Sequence, residues 1–398
     1  MILGSRPVAP VPLVEHDATV DVIADVRAFQ ALRDEWNALL DASASWNPFL
    51  TWEWMWSWWT HLRGAATLNI VTVRSGGQLI AIAPLMIVRR GLSLPPRLEF
   101  IGVGSGADYL DVIVRTGEEE NALAGLARAI DAQQLALQFD NLPPSPMSGR
   151  LWHELEGTGW TAIEGNPDVC PFIDLSEHSW DSYLASLGSS HRANVRRRLR
   201  ALAAAFDMKF ALVDSHEERR RCLEALFKFH DQRWACGGST AFSTTPLRAF
   251  HHDLTRSALD RGWLRMYSLS LDNTLVGAMY GIARDGRFYF YQHGTDAAYA
   301  RYSLGLVLMG LTVRAAIDDQ MREFDMLYGH EAYKKLWAAH QRPLGRLMLF
   351  PPRLAGRWLQ RRAETRQAVR ALARRLGLYP TAQKPRGGGP LKGSHDLA

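Results

Sequence analysis

The feature that most constrains the fold of this chain is a series of elements that runs through it twice. Apolar residues form extended runs at 67–74 and 79–88 around Ser75-Gly-Gly-Gln78, the pattern of a β-hairpin. An apolar run at 98–103, a Gly-rich turn and an extended segment at 109–114 follow. The first series then continues with a helical period over 118–133, a strand at 135–139, a helix near 148–155 and a strand ending at 172–175. The second series has strands at 264–271, 275–283 and 287–293, a helix at 302–317, a strand at 323–327, a helix at 331–338 and a strand at 344–350. Corresponding elements are offset by about 185 to 195 residues, too long for a solenoid repeat and suited to a duplicated domain. A chain of 398 residues also exceeds what one core usually holds. The expectation is an α/β protein of two similar domains with mixed central sheets, 1–175 and 176–352, and helix-rich material at 180–204 and 217–234 near their junction.

Composition narrows the function classes. With 47% hydrophobic and 22% charged residues, the chain is of globular type. Its three cysteines, Cys170, Cys222 and Cys236, lack metal spacing and make a poor disulfide framework, so a reducing cytoplasm is expected. No signal-peptide pattern opens the sequence, and the longest uncharged apolar stretch, 79–88, is about half a membrane span. The net charge of +5 is uneven: residues 353–375 hold eight Arg and one Glu, leaving −2 for the remainder. That segment reads as a basic amphipathic helix over 353–379, either docked on the second domain with its arginines in water or meeting the inner membrane surface through 353–377. Residues 380–398 read as a disordered tail.

Zinc-hydrolase HisGluXXHis, paired CysXXCys, P-loop and GlyXSerXGly motifs are missing, and Gly102–Gly106 lacks the spacing of a dinucleotide loop. The richest segment is Phe288-Tyr-Phe-Tyr-Gln-His-Gly-Thr-Asp296, which leads through Arg301 and Tyr302 to a helix start at Ser303-Leu-Gly-Leu306. Unpaired amides at a helix start bind phosphate, Gly305 allows close approach and Arg301 adds a cationic fork, a combination suited to a pyrophosphate. A Ser-capped buried helix with an incidental Arg is the plainer alternative.

Further on, Phe324-Asp-Met-Leu-Tyr-Gly-His-Glu-Ala-Tyr-Lys334 carries a resemblance. The chain resembles the GNAT-fold acyltransferases and, within them, the BcsL/CelD-like (cellulose-biosynthesis acetyltransferase-like) family. That family has Ser-Pro-Gly before an apolar helix, then Phe-Asp and Gly-X-Glu-X-Tyr-Lys. Ser303, Gly305, Phe324, Asp325, Gly329, Glu331, Tyr333 and Lys334 match, while Leu304 replaces the Pro. The likeness extends to the basic stretch Ser190–Arg200, to Asp108-Tyr-Leu-Asp111 and to the Trp-rich run at 52–59, covering about residues 20–350.

The resemblance implies a tandem GNAT pair, as in the Fem-type aminoacyltransferases. It places acetyl-CoA or another acyl-CoA in the second domain, as co-substrate held near Arg301, Tyr302, Ser303, Leu304, Gly305 and Leu306. It also implies Tyr333 as the acid, with His293, Asp296 and Glu331 competing as base. Asp108, Tyr109, Asp111, Arg192, Asp325 and Lys334 are weaker candidates for the acceptor site; for Asp325 and His293 a satisfied structural role is the stronger reading. The Trp run reads as core or domain interface before a sugar-stacking platform. The expected function is an acyl-CoA-dependent N- or O-acyltransferase on a sugar or other small polar acceptor, in exopolysaccharide or cellulose production, with no nucleic-acid partner. The alternatives are a Fem-like enzyme using charged tRNA, whose phosphates the Arg clusters would meet, and a non-catalytic GNAT-fold scaffold.

Overall fold

A computed structural model describes residues 18–375, apart from 46, 90, 92–93, 166 and 234–241. Fourteen strands form one sheet: β1 (Thr19–Ile23), β2 (Thr67–Ser75), β3 (Gln78–Val88), β4 (Arg97–Phe100), β5 (Ile113–Val114), β6 (Ala136–Leu142), β7 (Thr161–Glu164), β8 (Asp168–Asp174), β9 (Met208–Leu212), β10 (Leu264–Leu271), β11 (Thr274–Arg284), β12 (Arg287–Thr295), β13 (Glu323–Asp325) and β14 (His340–Phe350). Their spatial order is β1-β2-β3-β4-β6-β14-β8-β13-β12-β11-β10-β9, with β5 on β3 and β7 on β14. The repeated series is visible in the pairing. Antiparallel hairpins β2–β3 and β10–β11 correspond, and the parallel pair β4–β6 matches the parallel pair β12–β13.

The halves exchange their last strands. β8 follows the first series in sequence yet pairs with β13, while β14 ends the second series and its residues 345–350 pair with β6 and β7. Residues 340–344 of β14 also pair with β8, so these two strands stitch the lobes at the centre. Strand pairing therefore crosses residue 175 in both directions, and the second lobe is built on a strand from the first half of the chain.

Both faces of the sheet are apolar. On one, Val195, Leu202, Val276, Met279, Phe288, Phe290, Leu308, Phe324 and Trp337 share a core under the helices Trp180–Ser186, Ser189–Ala205 and Leu304–Asp318. On the other, the helices His216–Arg233 and Thr245–Asp260 bury Leu226, Phe227 and Phe250 against the first lobe. The helix Trp52–Leu62 joins that interface, with Trp54 edge-on to Phe250 and Tyr291 at 5.3 Å each. Its rings are packing groups: Trp52, Trp54, Trp58 and Trp59 are buried.

Several elements differ from expectation. The extended segment at 109–114 is a strand only at Ile113–Val114, because Tyr109 turns at φ 57° and Asp108, Tyr109 and Asp111 are drawn into buried hydrogen bonds. The helix-rich material expected at 180–204 is two helices, Trp180–Ser186 and Ser189–Ala205, separated at Leu187–Gly188. The helix expected at 331–338 shrinks to Lys334–Trp337. Strands β1, β7 and β9 and the helix Thr245–Asp260 are not among the elements expected. Cys170 and Cys222 are buried and form no disulfide among the described residues, and Cys236 lies outside the described residues, as does the tail at 380–398. Among the described residues no helix is long and apolar enough to cross a membrane.

Candidate active site

The site begins where a parallel pair stops pairing. β12 and β13 are in register from Arg287↔Glu323 to Tyr289↔Asp325; β13 then ends, and β12 runs on to Thr295. A bulge in β12 helps. Tyr280 faces Gln292 while Gly281 faces Phe290, so Tyr291 is the extra residue, and a Cβ at Gly281 would lie 2.2 Å from the Tyr289 carbonyl. Beyond β13 the chain stays with β8 instead, since Met326 N donates to Pro171 O at 2.9 Å. Among the described residues no backbone hydrogen bond joins β12 past Tyr289 to 326–333, which leaves one edge of β12 open.

The first lobe closes the corresponding gap with its own chain. Past the end of β4, Leu110 N donates to Asn141 O at 3.0 Å and Asn141 Nδ2 donates to Ala107 O at 2.7 Å. Asp111 is buried there and accepts from Met147 N, Ser148 N and Val112 N at 2.7, 2.8 and 2.9 Å, capping the helix Met147–Glu156. Burial still pushes its carboxyl up from 3.8 to about 6.

On the open edge, His293 pairs with Met279 and so faces the side of the helix Leu304–Asp318. Its ring lies 5.5 Å from Phe290 and 6.5 Å, edge-on, from Tyr333. Burial, together with Arg233 and Lys334, pushes the imidazole down to about 4, so it is neutral at physiological pH. Burial and the nearby Glu331 push the Tyr333 phenol well above its ordinary value, which keeps it protonated. Of the four candidates for proton transfer, the structure brings these two together. Glu331 is paired with Lys334 at 3.1 Å, and Asp296 accepts from Ala298 N at 3.0 Å as the cap of the 3-10 helix Ala297–Tyr302.

Lys334 is a latch. Its ammonium is buried and donates to Leu327 O at 3.2 Å and Tyr328 O at 2.8 Å, with Glu331 as counter-ion. That fold-back needs Gly329, whose φ is 151° and whose Cβ, were there one, would lie 1.8 Å from a Glu331 carboxylate oxygen. Asp325 is held by Tyr109 Oη at 2.7 Å, Arg342 Nη1 at 2.9 Å and Leu327 N at 2.7 Å, and Asp108 accepts from Tyr328 N at 2.7 Å. Arg342 comes from the exchanged β14, forks onto Glu323 at 2.9 and 2.6 Å and stacks on Phe172 at 4.3 Å. Asp108, Tyr109, Asp325 and Lys334 thus form the buried frame that aims 326–333 at the open edge. Arg192 is also engaged, donating to Ala185 O at 2.7 Å.

At the other end of the site the 3-10 helix closes at Ser303, which is left-handed (φ 54°) and makes no side-chain cap hydrogen bond; its carbonyl accepts from Leu306 N and Val307 N. This corrects the expected Ser cap: a left-handed residue turns its hydroxyl out of capping range. Leu304 and Leu306 put their side chains into the core, so only backbone can serve a ligand there. The first turn offers the amides of Leu304 and Gly305. Arg301 stacks over Tyr302 at 4.7 Å and donates to its hydroxyl at 2.8 Å. Arg198, which sequence reasoning did not single out within the basic stretch, donates to Arg301 O at 3.0 Å, and its Nε is buried without a partner.

The segment 189–335, which contains β12, β13, His293, Ser303, Tyr333 and Lys334, matches the family model of an acetyltransferase (GNAT) domain. The second half of the chain carries a GNAT acetyltransferase domain. That match supports acyltransferase activity of the GNAT type. Among solved structures, FemX aligns at 12% identity with a TM-score of 0.58, over 82% of this chain and 97% of that one. L-PGS from Bacillus licheniformis aligns at 12% identity and TM-score 0.52, over 85% and 96%. The C-terminal domain of a putative lysylphosphatidylglycerol synthetase from Agrobacterium fabrum gives 11% and 0.51, over 85% and 96%. At these identities the likeness is one of fold, and it covers both lobes together. No curated protein matches the chain in sequence.

Proposed function

We propose that the acetyltransferase domain takes an acyl group from acyl-CoA, most simply acetyl-CoA, and passes it to an amine or hydroxyl. The observation that carries this is the open edge of β12, where a pantetheine-like amide arm can hydrogen-bond as an added strand. The fit at the anion end rests on the Leu304 and Gly305 amides, on Arg301 and on the partnerless Arg198 Nε, which together suit a pyrophosphate. When bound, acyl-CoA supplies an activated thioester carbonyl. Neutral His293 accepts the proton of the attacking amine or hydroxyl. Tyr333 gives its proton to the departing sulfur. Glu331 and Lys334 hold the segment on which Tyr333 stands, and Asp325 anchors its start. The acceptor class, a sugar or other small polar molecule in exopolysaccharide production, rests on the motif resemblance to the BcsL/CelD-like family.

A second reading has the acyl group come from charged tRNA. It is favoured by the fold likeness to FemX and by Arg196, Arg197 and Arg200, exposed on the helix Ser189–Ala205. Against it, the helix His216–Arg233 packs on β11 and β12 with Leu226 and Phe229 against Gly294, so it is no projecting arm. The test is calorimetric titration of the full chain. Acetyl-CoA should bind at one site, weakened roughly tenfold or more in Arg301→Ala and in Arg198→Ala. No binding of acetyl-CoA, with tight binding of charged tRNA, overturns the reading in favour of the second.

A further inference from the structure

The helix Leu354–Arg375 has two apolar faces and needs only one to stay attached. On the inner face Leu359 and Ala363 pack with Ala136, Ile163, Met348 and Phe350. Polar contacts secure that face: Thr161 Oγ1 donates to Gln360 Oε1 at 2.8 Å, and Gln367 Nε2 donates to Glu164 O at 3.3 Å. The outer face carries Leu354, Trp358, Val369 and Leu372, exposed by 86%, 47%, 59% and 57%. At about 100° per residue these four fall within about 60° of one another, while Leu359 and Ala363 lie about 100° to 140° from Trp358. They are four of the eight exposed large apolar residues among those described, gathered on one helix. Arginines flank them. Arg361 and Arg362 border the stripe, Arg362 lies over the Trp358 ring at 5.3 Å, and Arg357 and Arg366 follow on either side. Glu364 is the only acid in the helix.

We propose that this outer face docks the protein on an anionic phospholipid bilayer, with the helix lying in the headgroup plane and Trp358 at the interface. A membrane surface wants what this face offers, a narrow apolar stripe bordered by cations that meet lipid phosphates. A nucleic acid would use the arginines but give no reason to expose Leu354, Val369 and Leu372. A second copy of the chain would bring like charges together. The sequence presented docking and lipid contact as alternatives; the helix does the first with one face and leaves the other free for the second. The proposal is independent of the acyl donor.

The experiment is flotation of the full chain with vesicles of equal parts phosphatidylglycerol and phosphatidylcholine, and with phosphatidylcholine alone. The chain should float with the anionic vesicles, roughly tenfold or more less with the neutral ones, and less as salt rises. Trp358→Ser with Leu372→Ser changes only solvent-facing groups and should lower partitioning roughly tenfold or more at an unchanged melting temperature. Arg361→Gln with Arg362→Gln should weaken binding to anionic vesicles only. Equal flotation of the Ser variant and the parent overturns the proposal. So does failure to float with anionic vesicles, whether accompanied by binding to a duplex oligonucleotide or by a dimer that the Ser substitutions dissociate.

Discussion

Replacing Lys334 with Met separates a framework role from substrate contact. The ammonium is 1% exposed and its partner Glu331 4%, and it also satisfies the carbonyls of Leu327 and Tyr328. Met fills most of the stem's volume, so packing changes little. What is lost is the charge and three partners, leaving a buried carboxylate uncompensated. Breaking a buried pair from one side costs about 3–5 kcal/mol, whereas replacing both partners costs much less. Lys334→Met should therefore lower stability by about 3–5 kcal/mol in urea titration. Glu331→Gln combined with Lys334→Met should recover about half of that, a coupling outside the range of independent sites. A loss below about 1 kcal/mol, or strict additivity in the double variant, would refute the latch. If stability held while KM for the acceptor rose, Lys334 would belong to the substrate site instead.

Tyr333→Phe keeps the ring among its neighbours and removes only the proton, so kcat should fall roughly a hundredfold with acetyl-CoA affinity unchanged in titration; wild-type turnover would remove Tyr333 from the proton path. Asp111 gives a pH test. Its folded pKa is raised from 3.8 to about 6, so its stabilising effect is complete below about pH 4 and fades as pH rises through 6. Relative to Asp111→Asn, the parent should lose up to about 3 kcal/mol between pH 4 and 6 and nothing further above, as read from urea midpoints across that range.

What the sequence determined by itself is whatever depends on neighbours along the chain. Alternation over 264–271 gave Leu264–Leu271, and the turn residues Asp272-Asn273, both at positive φ, placed the hairpin to β11. The duplicated series, the Trp-rich helix as packing and the basic terminal helix were legible for the same reason, as was the strand-to-helix segment carrying His293 and Ser303. Tertiary structure decided what depends on residues far apart. Asp325 meets Tyr109 across 216 positions, and Tyr328 meets Asp108 across 220, so neither could be told from a catalytic acid or a loop residue by local pattern. The exchange of β8 and β14 had no signal, because a strand's alternation records which faces are buried and not which strand lies beside it. Arg342 therefore went unmarked. Sequence pattern also proposed a Ser303 cap and a longer helix around Tyr333. The left-handed turn at Ser303 and the Lys334 fold-back over Gly329 overrode both, because a buried ammonium must find its carbonyls and counter-ion wherever the backbone has to bend to supply them.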